Sequence, residues 1–161
     1  MKKLIYISIL IGLFGCTEIG KKEKIEIESR LLVVYEFDTI VRENDYKLTI
    51  KDRDSFIRYE YLNLVDSTKN MNFHFVKDVN KIHFGPVEFD LEERNIFQTT
   101  LEFDRYETEP IADAMGSLFF NRDYGILGLD NGWGMQFHYL TDKNIKQYDL
   151  PLFYKMEDLE E

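Results

Sequence analysis

"GSLFFNRDYGILGLDNGWGMQFHYL", residues 116–140, holds three apolar runs separated by two turn signals. Asn121-Arg122-Asp123 divides the first run from the second, and Asn131-Gly132 divides the second from the third. Asn and Asp side chains hydrogen-bond to nearby backbone and tolerate left-handed conformations, so both breaks read as turns. Asn-Gly between two strands suits a two-residue type I′ turn. Residues 117 to about 140 are therefore expected to form a three-stranded antiparallel meander.

The same period of two recurs upstream. "SFIRYEYLNLV" (55–65) sets Ile57, Tyr59 and Tyr61 opposite Arg58 and Glu60. "MNFHFV" (71–76), "PVEFDLEE" (86–93) and "IFQTTLEFDRYE" (96–107) alternate in the same way. "LLVVYEFDTIV" (31–41) reads as one strand with Leu31, Val33, Tyr35 and Phe37 on a single face. Such alternation marks strands with one face in the core and one in water. "REND" (42–45) and "DSTKN" (66–70) read as hairpin connections. Only "EPIADAM" (109–115) and "LEERNIF" (91–97) have the makings of short helices. Short strands without a long helical pattern predict a mainly β fold, an antiparallel sandwich or partly open barrel. The 13 Phe and 10 Tyr in 161 residues fit this expectation, because aromatic side chains suit pleated, half-buried surfaces.

The N-terminus carries a different message. "MKK" is followed by the apolar run Leu4–Phe14, too short to cross a bilayer as a helix but the length of a secretory signal core. The run ends in Leu13-Phe14-Gly15-Cys16, and Cys16 is the only cysteine in the chain. This resembles the lipobox of bacterial lipoproteins: Leu13, Gly15 and Cys16 match it, and Phe14 replaces the smaller residue usual there. The resemblance covers about sixteen residues. It implies a signal peptide over 1–15, a diacylglycerol thioether and acyl lipid on Cys16, and no other cofactor. It implies a tether over 16–24 and one β-rich domain over 25–161. Thr17, in place of the Asp that often retains such proteins at the inner membrane, favours the outer membrane. The C-terminal hairpins, from Phe119-Phe120 to Tyr124-Gly125-Ile126-Leu127-Gly128, resemble those of small envelope lipoproteins with curved antiparallel sheets.

Charge limits the partners. The formal net charge is −10, and without residues 1–15 it becomes −12, with 18 basic against 30 acidic side chains. Such a surface repels phosphate backbones, so nucleic acid is not an expected partner. Binding to a membrane then calls for something other than surface charge, which a lipid anchor supplies.

No catalytic signature is present: no G-x-S-x-G elbow, P-loop, dinucleotide fingerprint or H-E-x-x-H. His74, His83 and His138 are not spaced as metal ligands and read as strand residues, so no metal is expected. The carboxylates of "FDLEE", "EFD" and "MEDLEE" could supply a glycosidase pair but read as solvated strand faces, and those of "KDRD" and "LDNG" do not follow the calcium-loop pattern. Trp133, the lone Trp, lies between glycines at an expected turn. It is either a contact residue for a ligand or partner, or a ring folded back over the sheet edge. The favoured reading is a non-enzymatic module that binds an apolar small molecule or an envelope protein. The alternatives are an envelope hydrolase with carboxylates not identifiable from sequence, and a purely structural or protective lipoprotein.

Overall fold

The computed structural model describes residues 24–98, 101–109, 115–142 and 151–155. The expected signal peptide, Cys16, the core of "EPIADAM" and "MEDLEE" lie outside these residues. Ten strands run in chain order: β1 Lys24–Glu36, β2 Thr39–Asp52, β3 Phe56–Asn63, β4 Met71–Val76 and β5 Lys81–Phe84. They continue as β6 Val87–Gln98, β7 Glu102–Glu107, β8 Leu118–Asn121, β9 Gly125–Asp130 and β10 Met135–Leu140. Each pairs antiparallel with its sequence neighbours, and β1 pairs with β10, closing an up-and-down barrel. The fold is thus mainly β and a closed barrel, and the sandwich alternative is set aside. Closure leaves no sheet flank running the full length of the molecule.

Four readings are corrected. "LLVVYEFDTIV" is two strands joined at Phe37-Asp38, with Phe37 left-handed at φ 54°. "REND" lies inside β2, and "LEERNIF" lies in β6 rather than a helix. The Asn131-Gly132 turn is wider than a two-residue type I′ turn: the left-handed residues are Gly132 and Gly134, not Asn131. Asn131 instead accepts the N–H groups of Trp133 and Met135 through Oδ1, at 2.9 and 3.0 Å.

The barrel interior accounts for the aromatic composition. Small barrels must fill their lumen with side chains. Here Tyr59, Tyr61, Tyr139, Phe73 and Phe89 are fully buried in a cluster drawn from all ten strands. Rings meet edge-on or tilted, as for Tyr59–Phe120 at 5.4 Å and Tyr61–Tyr139 at 4.5 Å. Their hydroxyls find partners, as buried phenols must. Tyr59 donates to the Arg122 carbonyl at 2.6 Å, and the Tyr61 oxygen accepts the Ile126 N–H at 2.8 Å. Burial pushes both phenols well up, so they stay neutral at physiological pH. Gly125, at φ 89°, is required there, since a Cβ would lie 2.6 Å from the Tyr61 hydroxyl.

A second cluster packs outside the barrel. Val33, Phe119, Leu127 and Leu140 lie under the segment Pro151–Lys155, which straps the outer faces of β8–β10. Phe153 stacks on Phe119 at 4.1 Å. This cover is why "LFF" and "GILGL" are apolar without interruption: both faces of those strands are buried.

Candidate functional site

The long β1–β2 hairpin crosses the barrel obliquely. β10 pairs only with Leu31–Glu36 of β1, while β3 pairs only with Tyr46–Asp52 of β2. The upper part of β2, Thr39–Asp45, therefore has no strand on its second side among the described residues. A loop crosses there instead, containing a 3-10 turn at Ser67–Lys69. The end with the β1–β2, β3–β4 and β9–β10 turns is termed apical, and the end where Lys24 enters β1 is basal.

The crossing loop is tied in place. Asn63 Oδ1 accepts the N–H groups of Val65 and Asp66 at 2.9 and 2.7 Å, and Asp66 caps the 3-10 turn through the Thr68 N–H. Leu64 N–H reaches the Asp45 carbonyl at 3.0 Å, and the Tyr46 hydroxyl donates to the Lys69 carbonyl at 3.1 Å. Between this loop and β2 lies an apical recess of about 300 Å³. Leu32, Met71, Phe84, Phe137 and Tyr139 give it an apolar wall; Arg42 and Lys69 stand among its polar lining. Met71, Phe84 and Phe137 are only half-buried, so the interior apolar surface opens to solvent at this point.

The charges of the recess are unusual for so acidic a chain. Among the described residues, no carboxylate lines it. Lys69 pairs with Asp66 at 3.2 Å, and the Thr68 hydroxyl bound to Asp66 holds that carboxyl below its usual range. Arg42 makes no ion pair among the described residues. It faces Val34 across the hairpin, and Val34 in turn faces Phe137 on β10. On the same face of β2, Asn44 keeps its Oδ1 buried without a hydrogen-bond partner.

Two other hollows differ. A basal one of about 390 Å³ has an aromatic floor of Phe75, Tyr106 and Phe120 under a rim of mixed charge. Its Arg94 pairs with Asp104 at 3.8 Å, and its Lys77 is held by Asp52. A groove of about 500 Å³ beside β1 carries Glu28, Asp45 and Asp142. Its one cation, Arg30, is buried and committed to Glu28 at 2.5 Å and to the Tyr124 carbonyl at 3.0 Å, its guanidinium 4.4 Å over the Tyr124 ring. The apical recess alone of these three combines apolar walls with cations and no acid.

Of the residues singled out from sequence, Trp133 stands at the β9–β10 turn and is 68% exposed. It shares the apical end with Phe37, whose N–H bonds to the Gly134 carbonyl at 3.0 Å, but it does not line the recess. His74 and His83 face each other across β4 and β5. His74 Nε2 accepts from Arg58 Nε at 3.0 Å; burial, then the Arg58 charge, lowers its pKa. His83 lies 3.6 Å from Glu88. His138 sits apart under the strap, where burial pushes it down to about 4. Among the described residues no group of three or more His, Cys, Asp or Glu is arranged to hold a metal ion. Two of the three "FDLEE" carboxylates are held in surface pairs, Asp90 with Lys81 at 2.9 Å and Glu93 with Arg105 at 3.3 Å.

Sequence reading missed Arg42 because it lay in "REND", taken as a turn. Counting back by twos from Ile50, Leu48 and Tyr46 reaches Asn44 and Arg42 on the same strand face. Compared with known protein families, with curated proteins and with solved structures, the chain finds no match.

Proposed function

We propose that this chain is a non-enzymatic, lipid-anchored protein of the bacterial cell envelope whose barrel takes up an apolar small molecule in the apical recess. The observation that carries the binding half is that recess. Interior apolar side chains open to solvent there between a strand flank and a tied-down loop. Small-molecule sites are typically concave, mostly apolar and largely pre-formed, and barrel mouths are among their usual places.

The anchoring half rests on the lipobox resemblance around Cys16, with the outer membrane favoured by Thr17. The geometry suits it. β1 begins at the basal end, and the eight residue-to-residue steps from Cys16 to Lys24 span at most about 28 Å when extended. An anchored barrel would keep its base near the bilayer and turn the recess away from it. Exposed Trp133, with Ile40 and Val41 also exposed, favours a second reading in which the apical end meets an envelope protein.

One experiment tests both halves. Native mass spectrometry of the full chain taken from its own membrane should show a covalent diacylglyceryl mass and a non-covalent apolar molecule. Cys16→Ser should lose the covalent mass and leave the membrane fraction while keeping the bound molecule. A Cys16→Ser variant that fractionates and labels like wild type contradicts the anchor. A wild-type chain that carries no molecule contradicts the uptake.

A further inference from the structure

We infer that the ligand of the apical recess is an anionic amphiphile, an acyl chain ending in a carboxylate, with its head on Arg42 and its tail against Met71, Phe84 and Phe137. The inference rests on the recess being a ligand site and adds the chemistry of the head group. Acidic residues outnumber basic ones by 30 to 20 in the whole chain, yet among the described residues the recess lining has two cations and no carboxylate. Lys69 is already compensated by Asp66, and Arg42 is not. A guanidinium presents a planar fork of donors that matches a carboxylate with two parallel hydrogen bonds.

The register fixes where head and tail go. Arg42, Val34 and Phe137 form one cross-strand row on the interior face at the apical rim. Leu32 and Tyr139 form the next row inward. A head at Arg42 therefore directs its tail past Phe137 toward Met71, whose sulfur accepts the Tyr139 hydroxyl at 3.3 Å. Asn44 follows Arg42 on the same face of β2, its Oδ1 buried without a hydrogen-bond partner among the described residues. A backbone donor lies on the open side of β2. The Asp45 carbonyl points to the open side of β2, where it meets Leu64 N–H, so strand alternation points the Glu43 N–H to that side as well.

Isothermal titration with octanoate and 1-octanol separates tail recognition from head recognition. The protein is the full chain in lipid nanodiscs, with empty discs as reference. Octanoate should bind at least ten-fold more tightly than 1-octanol, and 0.5 M salt should weaken octanoate alone, since screening acts on exposed charges. Arg42→Leu should bring octanoate down to the octanol affinity, and Arg42→Lys should keep part of the preference. Arg42 is exposed, so its replacement leaves the core intact. Equal affinities in wild type, or a preference that survives Arg42→Leu, overturns the head-group assignment and leaves uptake standing. Binding of neither compound overturns uptake itself, and the head-group assignment with it.

Discussion

Replacing Gln136 by leucine is expected to lower the unfolding free energy by about 3–4 kcal/mol. Gln136 is fully buried on the outer face of β10 and holds three backbone groups from two other segments. Its Oε1 accepts the Phe153 N–H at 2.6 Å; its Nε2 donates to the carbonyls of Phe37 at 2.6 Å and Tyr154 at 2.7 Å. Leucine has similar bulk and offers none of these bonds. It leaves one donor and two acceptors without their partner, each worth about 1–3 kcal/mol where water cannot replace it. The loss reaches further, because the same side chain fixes the strap and the β1–β2 turn together. Urea unfolding should show a lower midpoint with an unchanged slope. A Gln136→Leu midpoint equal to that of wild type would mean the strap contributes nothing to the fold.

The second expectation concerns acid. The His138 ring is buried under the strap, with Tyr35 edge-on at 5.3 Å and Phe153 at 6.1 Å. Its Nε2–H donates to the Pro151 carbonyl at 3.1 Å, and Nδ1 has no partner among the described residues. Burial pushes its pKa down to about 4, against about 6.5 in an unfolded chain. Above pH 6.5 the ring is neutral in both states and stability does not depend on it. As the pH falls from 6.5 toward 4, the unfolded chain takes up a proton that the folded chain refuses. Stability should then decline, by on the order of 3 kcal/mol at pH 4. His138→Phe keeps a ring in the site and does not titrate, so its denaturation midpoint should be much flatter over that range. His74, whose pKa is also lowered, accounts for a residual slope of the same sign. A wild-type midpoint that does not change between pH 6.5 and 4.5 contradicts the buried, neutral His138.

The parts of the fold legible in the sequence are those where burial follows the local pattern. β3 and β4 alternate cleanly because one face lines the barrel and the other meets water. The C-terminal meander was legible through its turn residues. Asn121 Oδ1 accepts the N–H groups of Asp123 and Tyr124, as the residue type suggests. The Phe37-Asp38 turn was not legible, because a left-handed phenylalanine has no sequence signal and is held by its bond to Gly134 on another hairpin. "REND" misled because upper β2 lacks a strand on one side, and the four side chains from Arg42 to Asp45 are polar on both faces. "LEERNIF" misled for a related reason: register shifts and a left-handed Asn95 break the alternation of β6.

Closure itself has no local signature. It depends on Leu31–Glu36 meeting Met135–Leu140, segments about a hundred residues apart. The recess depends on that same long-range geometry. The obliquity of the β1–β2 hairpin makes the gap that the loop spans, and no spacing within one segment records it. Arg42 is legible only once β2 is known to continue through it.

The central claim is that the apical recess holds an apolar molecule, and its most direct test locates the molecule. With methionine ε-methyl labelling of the full chain, intermolecular nuclear Overhauser effects from bound octanoate should fall on Met71. They should be absent from Met115, which lies outside the recess lining. Cross-peaks at Met71 alone are the predicted result. Cross-peaks only at Met115, or none at Met71 under saturating octanoate, would contradict the account.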